Sequence, residues 1–206
     1  MDVRLLANQK ADREGILDGL DWLVRESTQQ DVSVIFLAGH GMTQRDHYYF
    51  LSHDFDSERP DDTSVPLLKL QNTLKQLEQF HGTCLLLIDT CYSGMITGNR
   101  DAAKRDAEIT EALRTLQEAA GHVVVMAVAG NQEESMEHPE WRHGAFTRAL
   151  IDGMKGKADR DENGVIRIRE LDRYVAGRVK ELTDGRQHTI TKIPEDMPNF
   201  PVAIVE

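Results

Sequence analysis

A cysteine and a histidine, each beside glycine, are the residues of this chain best suited to nucleophilic chemistry. His40 lies in the segment 38–41, Ala-Gly-His-Gly, and Cys91 lies in the segment 89–94, Asp-Thr-Cys-Tyr-Ser-Gly. The thiolate is the reactive form of cysteine, and an imidazole beside it can take its proton or stabilise its charge. Glycine-rich turns also offer backbone N–H groups to the oxyanion of a tetrahedral intermediate. The two segments therefore predict acyl-transfer chemistry by a Cys–His pair.

The second cysteine carries a different prediction. Cys84 begins an apolar run, and a single cysteine in such a run is usually a small buried hydrophobic residue. Two cysteines are too few for a disulfide framework. A reducing, cytoplasmic setting is the expectation, because a free thiol stays available for chemistry there.

Alternating apolar runs and amphipathic segments must position the Cys–His pair. Apolar runs predict strands at 3–6, 32–38, 48–51, 84–88 and 123–129, and helical spacing predicts helices at 12–25, 67–80, 102–120, 144–154 and 168–182. The tail after Gly185 is predicted to be irregular. Continuous apolar strands between helices indicate an α/β fold with a mainly parallel sheet covered on both faces. Both His40 and Cys91 follow a predicted strand, where such sheets place their sites.

Composition narrows the classes of partner. The chain has 206 residues and a formal net charge of −11, with acidic residues spread along it. Nucleic acid and anionic membrane are disfavoured, because phosphate binding needs clustered basic residues. The apolar runs are too short to cross a bilayer. A basic substrate suits this charge, although acidity that only aids solubility accounts for it equally well.

The two segments also resemble a known family. Strand-Ala-Gly-His-Gly followed by strand-Asp-Thr-Cys-Tyr-Ser-Gly is similar to the caspase-like (C14) cysteine peptidases, and more to metacaspases and their bacterial relatives than to animal caspases. Residues 127–137 and 143–150 resemble the small-subunit half, so the likeness runs from about residue 3 to about residue 182. It implies a single caspase-like three-layer sandwich, with a large-subunit part at 1–98, a linker or helix at 99–120 and a small-subunit part at 121–206.

The resemblance assigns roles to individual residues. Cys91 is the implied nucleophile, His40 protonates the leaving amine, and the backbone N–H groups of Gly41 and Cys91 form the oxyanion hole. Peptide hydrolysis of this type requires no cofactor. Arg100, Lys104 and Arg105 lie in a polar stretch and are candidate self-cleavage sites, although the same stretch equally suits a solvated start of a helix.

Specificity is predicted from charge. Animal caspases carry glutamine two residues before the nucleophile, in a pocket that reads aspartate, whereas Asp89 occupies that position here, as in metacaspases and paracaspases. A carboxylate in a partly desolvated pocket pairs with a cation and repels an acidic side chain. The expected substrate is therefore a polypeptide with Arg or Lys at P1, the residue before the cleaved bond. Glu137 is a second candidate for the pocket, and the alternative for Asp89 is a cap on the turn after the strand.

One element of the family pattern has no counterpart. The family opens with an apolar strand and a helix before the strand that resembles residues 3–6, and nothing in this chain matches them. A missing interior strand leaves backbone groups unpaired and apolar surface exposed. Three expectations follow: a truncated product, one half of a split protein, or a fold in which a second chain or another segment completes the sheet.

A further motif lies near the C-terminus. Residues 159–170 fit the EF-hand loop, with Asp159, Asp161 and Asn163 at positions 1, 3 and 5, Val165 at position 7 and Glu170 at position 12. Asp, Asn and Gly also form good turns without an ion. Three functions therefore stay open: an active peptidase, a catalytically silent caspase-like interaction module, and a calcium-responsive binding protein.

Overall fold

A six-stranded sheet forms the centre of the protein. The structure, a computed structural model, describes residues 1–44, 47–92, 111–112, 114–116, 122–130 and 144–205. The strand order is β3–β2–β1–β4–β5–β7, and β6 and β8 form a separate two-stranded sheet. The strands are β1 Val32–Gln44, β2 His47–Leu51, β3 Ser64–Pro66, β4 Thr83–Tyr92, β5 Val123–Gly130, β6 Val165–Arg167, β7 Gln187–Lys192 and β8 Pro201–Ile204.

The sheet is parallel at its centre and antiparallel at its edges. Strand β4 pairs in parallel with β1 on one side and β5 on the other. Strands β2 and β7 pair antiparallel with β1 and β5. The β1–β2 hairpin needs only a short turn, whereas the parallel strands are joined by long crossovers, as their geometry requires. The predicted α/β fold with a mainly parallel sheet is confirmed.

Helices cover both faces of the sheet. One face, called here the α1/α3 face, carries α1 and α3, and the other, the α4/α5 face, carries α4 and α5. Asp12 caps α1 by accepting a hydrogen bond of 2.7 Å from the Gly15 N–H, which satisfies a donor that the first helical turn leaves free. The helices are α1 Arg13–Glu26, α2 Pro60–Thr63, α3 Leu67–His81, α4 Ala145–Asp152 and α5 Ile168–Leu182.

Each face of the sheet has its own apolar core. The core beneath α1 and α3 includes Leu74, Leu86 and Val125, each fully buried or nearly so. The core beneath α4 and α5 includes Leu85 and Met126. Strand residues thus alternate between the two cores, as the two-residue period of a strand dictates. No helix in the ranges above is long and apolar enough to span a bilayer.

Two local predictions are wrong. Residues 3–6 form no strand: the Arg4 guanidinium instead donates to the Asp18 carbonyl at 3.0 Å, and Leu6 packs near Gly19 of α1. The tail after Gly185 is not irregular, because it contains β7 and β8. Both errors have one physical cause, since a short run becomes a strand only where a neighbouring strand supplies hydrogen bonds.

Strand β1 is incompletely covered in its first half. Within the described ranges, residues 32–39 pair with β4 alone, because β2 begins to pair only at His40. Three apolar side chains of this half are exposed on the α4/α5 face, namely Val32 at 36%, Val34 at 47% and Phe36 at 45%. An inner strand of a parallel sheet is normally buried on both faces. This half of β1, with its open edge and open face, is called the open half of β1 below.

Candidate active site

His40 and Cys91 are direct neighbours across two parallel strands. The ladder between β1 and β4 pairs His40 with Cys91, one residue before it ends at Gly41 and Tyr92. Adjacent strands are about 4.8 Å apart, and partners in register occupy the same face of the sheet. His40 is exposed. The backbone therefore places the two predicted catalytic residues side by side near the carboxyl edge of the sheet.

The strands are longer than predicted, so both residues lie inside them. Strand β1 runs to Gln44 and β4 to Tyr92, whereas the apolar runs end at residues 38 and 88. Pairing with β2 holds the last part of β1 in extended form. The expectation that His40 and Cys91 lie just past the strand ends is wrong, because the hydrogen-bond ladder continues through polar residues and glycines that the apolar pattern does not mark.

A tyrosine from β2 packs against the glycine that follows His40. Gly41 is buried, and a Cβ atom at this position would lie only 1.9 Å from the Tyr48 Oη. That hydroxyl lies 3.1 Å from the Thr90 Oγ1, one residue before Cys91. Any side chain at position 41 would displace the phenol. Tyr48 thereby links the hairpin to the end of β4, a contact that the sequence pattern did not reveal.

Asp89 faces α4. It lies on the α4/α5 face, two residues before Cys91, and is half-buried. Its Oδ2 accepts a hydrogen bond from the Thr147 hydroxyl. A Cβ atom on Gly144 would lie 3.1 Å from the same oxygen. The predicted specificity residue is thus enclosed by the first turn of α4, and neither Thr147 nor Gly144 was singled out from the sequence.

Several predicted residues lie outside the described part of the chain. Glu137, Arg100, Lys104 and Arg105 belong to this group. Their predicted roles in the pocket and in self-cleavage stay predictions.

A small apolar pocket lies on the opposite face of the sheet. Its walls include Leu37, Tyr48, Phe50, Ile88 and Thr90. Leu37 and Ile88 belong to the core beneath α1 and α3. The sheet therefore separates this pocket from the face that carries His40 and Asp89.

Cys84 is chemically distinct from the predicted nucleophile. Its side chain is fully buried near the start of β4. Burial raises the pKa of the Cys84 thiol to about 12, because an apolar environment disfavours the thiolate. A thiol of this kind is inert at neutral pH, as predicted for a buried cysteine.

The 159–170 loop brings three carboxylates together. One oxygen each from Asp159, Asp161 and Glu170 lies within 4.8 Å of the others. Oxygens at about 2.4 Å from a common calcium ion are separated by at most about 4.8 Å, so the donor set fits that ion. The same carboxylates also bond to the backbone: Asp159 accepts from Gly164 N at 2.9 Å, and Glu170 accepts from Arg167 N at 2.9 Å. These bonds form a turn with or without an ion.

Comparison with known proteins identifies the family. The fold and the paired residues define an α/β protein with a cysteine and a histidine at the carboxyl edge of its parallel strands. The family model described as the caspase domain, Peptidase C14, matches residues 1–198, and the chain belongs to this family. A search of curated proteins found no match. Membership supports a cysteine-peptidase type of hydrolase that acts on polypeptides.

Proposed function

We propose that this protein is a cysteine endopeptidase that cleaves after Arg or Lys, with Cys91 as nucleophile and His40 as acid and base. The observation that carries the proposal is the register of β1 and β4, which pairs these two residues directly. In motif the chain resembles metacaspases and bacterial caspase-like proteins, and we propose that it acts in the cytoplasm, where Cys91 stays reduced.

The chemistry follows from the positions of the two residues. The Cys91 thiolate attacks the carbonyl carbon of the cleaved bond, and the carbonyl electrons move to oxygen. Backbone N–H groups of Gly41 and Cys91 are the proposed donors to this oxyanion. The intermediate collapses to a thioester as His40 protonates the leaving amine. His40 then takes a proton from water, whose oxygen attacks the thioester carbonyl carbon. The C–S bond breaks, which releases the acid product and regenerates the Cys91 thiolate beside protonated His40.

Specificity is assigned to Asp89. Its carboxylate is half-buried on the same face as His40 and the backbone position of Cys91. A carboxylate in such a setting pairs more strongly with a cation than a fully solvated one does. Glu137 is the proposed second acidic residue of the pocket. An acidic P1 side chain is disfavoured because two like charges in a partly desolvated site repel each other.

Two cysteine variants test the peptidase. Cys91→Ala is expected to abolish cleavage of fluorogenic peptides with P1 Arg, whereas Cys84→Ala, the matched control, keeps it. His40→Ala should lower kcat by about 10²–10⁴-fold. Unchanged turnover in Cys91→Ala contradicts the nucleophile assignment, and faster cleavage after Asp than after Arg contradicts the basic pocket. A well-folded protein with no turnover on either peptide favours the silent interaction module instead.

Self-processing is a second part of the proposal. Arg100, Lys104 and Arg105 are basic residues that a peptidase of this specificity can recognise. Mass spectrometry of purified wild-type protein should show fragments that end at one of these residues, and the Cys91→Ala protein should show none. The same fragments in both proteins would identify a contaminating protease.

We also propose that the 159–170 loop binds calcium, in a role that peptide hydrolysis itself does not require. The three clustered carboxylate oxygens support this assignment. Isothermal titration should detect calcium binding to wild-type protein and much weaker binding to Glu170→Gln, which removes one charged ligand. No heat of binding at millimolar calcium would leave the loop as a structural turn.

The open half of β1 is the proposed site for a completing segment. Its edge, which has no strand partner in the described part of the chain, and its exposed Val34 and Phe36 suit an added apolar strand, supplied by a second chain or by another segment. When an added strand is paired with this edge, amide hydrogens of residues 33–39 should exchange slowly with solvent. The molar mass from light scattering shows whether the added strand comes from a second copy of the chain. A monomer with fast exchange along this edge contradicts the proposal.

A further inference from the structure

We propose that Thr147 is the positioning residue that orients Asp89 for a basic P1 side chain, and that this orientation favours Arg over Lys. The inference rests on the proposed function and extends it to a residue of α4. Thr147 donates its hydroxyl hydrogen to the Asp89 Oδ2. The contact joins residues 58 positions apart, and it connects the helix beside β4 to the strand that carries Cys91.

The core fixes the position of this hydroxyl. Thr147 follows Phe146, which is 1% exposed, and lies two residues before Ala149, which is fully buried. Both neighbours pack into the core beneath α4 and α5. A β-branched side chain in a helix also has few rotamers to choose from. The packing of α4 therefore holds the Thr147 hydroxyl in place beside Asp89.

The start of the helix also limits the space around the same oxygen. Gly144 lies three residues before Thr147, so both face the carboxylate from one helical turn. Its missing side chain leaves just enough room, because a Cβ atom there would lie 3.1 Å from the Asp89 Oδ2. The φ angle of Gly144 is −63°, which alanine adopts without strain. Gly144→Ala therefore perturbs the carboxylate and leaves the backbone unstrained.

Orientation matters more for arginine than for lysine. A guanidinium binds a carboxylate through two parallel N–H···O bonds, which require the planes of both groups to match. An ammonium is a compact charge that accepts many directions of approach. A carboxylate that is already oriented also loses less conformational freedom on binding. Loss of the Thr147 hydroxyl should consequently weaken Arg recognition more than Lys recognition.

The experiment compares Thr147→Val, Thr147→Ser and Gly144→Ala with wild type on matched P1-Arg and P1-Lys peptides. Thr147→Val should lower kcat/KM for P1 Arg by about tenfold, mainly through KM, and should lower the Arg-to-Lys ratio. Thr147→Ser should restore both, and Gly144→Ala should change the ratio in the same direction as Thr147→Val. Thr115→Val is the control, since it makes the same chemical change at a threonine whose hydroxyl, among the described contacts, donates only to the carbonyl of Glu111.

A double variant and a binding measurement decide the outcome. In an Asp89→Ala background, Thr147→Val should have no further effect, whereas an equal loss there overturns the inference. Binding of acetyl-arginine amide to Cys91→Ala protein should weaken about tenfold when Thr147→Val is added. If wild type cleaves neither peptide but Thr147→Val still weakens binding of acetyl-arginine amide, the peptidase assignment is refuted and the role of Thr147 stands. If Thr147→Val cleaves after Arg as fast as wild type, the role of Thr147 is refuted and the peptidase assignment stands. If wild type neither binds acetyl-arginine amide nor cleaves, both proposals are refuted.

Discussion

Cys84 and Cys91 should differ in reactivity toward alkylating reagents by several orders of magnitude. The burial of Cys84 shows how far its reactivity falls below that of an ordinary cysteine. Burial raises the pKa of its thiol to about 12. At about pH 7.5 such a thiol is ionised in about 3 molecules in 100,000, whereas an ordinary cysteine with a pKa of about 8.5 is ionised in about one in ten. The thiolate population alone thus lowers the reactivity of Cys84 by about 3,000-fold. Complete burial adds a steric barrier to any reagent.

Alkylation of the Cys91→Ala protein measures this directly, because Cys84 is then the sole cysteine of the chain. Iodoacetamide at about pH 7.5 should leave the native protein unmodified by intact mass, and should modify it fully in concentrated guanidinium chloride. A native rate comparable with the denatured rate would refute the burial argument. If the prediction holds, a single adduct on native wild-type protein reports Cys91 without background from Cys84.

Two further predictions concern packing and charge. Gly41→Ala should lower the free energy of unfolding by about 1–3 kcal/mol in thermal melts, because the new methyl would lie 1.9 Å from the Tyr48 Oη, and adding Tyr48→Ala should recover part of the loss. Burial raises the pKa of the Asp152 carboxyl, but the hydrogen bond from Lys157 and the charges of Arg148 and Lys157 outweigh it, so the net pKa is lowered. A lowered folded-state pKa stabilises the protein above the unfolded value of about 3.9, and this contribution is lost as pH falls through the folded value. Asp152→Asn should cost about 1–2 kcal/mol at neutral pH in urea titrations, and the gap to wild type should narrow below about pH 4.

Much of the fold could be predicted from local pattern. The apolar residues of α1, of which Ile16 and Leu20 are buried, recur at helical spacing, and this spacing predicts the helix. The continuous apolar run of β5 has the length of a buried strand. The wrong predictions concern segments whose structure depends on pairing with strands distant in the sequence. Strand β7 is rich in polar residues, with Thr189 and Thr191 beside Ile190, and it is a strand because the outer edge of β5 pairs with it. Residues 3–6 are apolar enough for a strand but have no strand partner among the described residues.

The candidate site divides in the same way. His40 and Cys91 could be chosen from residue type and flanking glycines, and the register of β1 and β4 then pairs them. Tyr48 and Thr147 carry no such local signal. Tyr48 reaches Thr90 because the hairpin folds residues 47–51 back on 40–44, and Thr147 reaches Asp89 because the first turn of α4 lies beside the end of β4. Contacts of this kind depend on the angles at which elements cross, which local sequence does not encode.

Under the proposed function, the position of α4 couples stability to specificity. One side of this helix packs into the core through Phe146, Ala149 and Leu150, and the first turn also encloses the Asp89 carboxylate. A packed core responds to a change in volume by shifting elements as units. A core substitution that tilts α4 therefore moves the Thr147 hydroxyl relative to β4, although no residue of the site has changed. Hydrogen-bond geometry tolerates only a few tenths of an ångström before the bond weakens, so the proposed preference for Arg should be lost before the fold is.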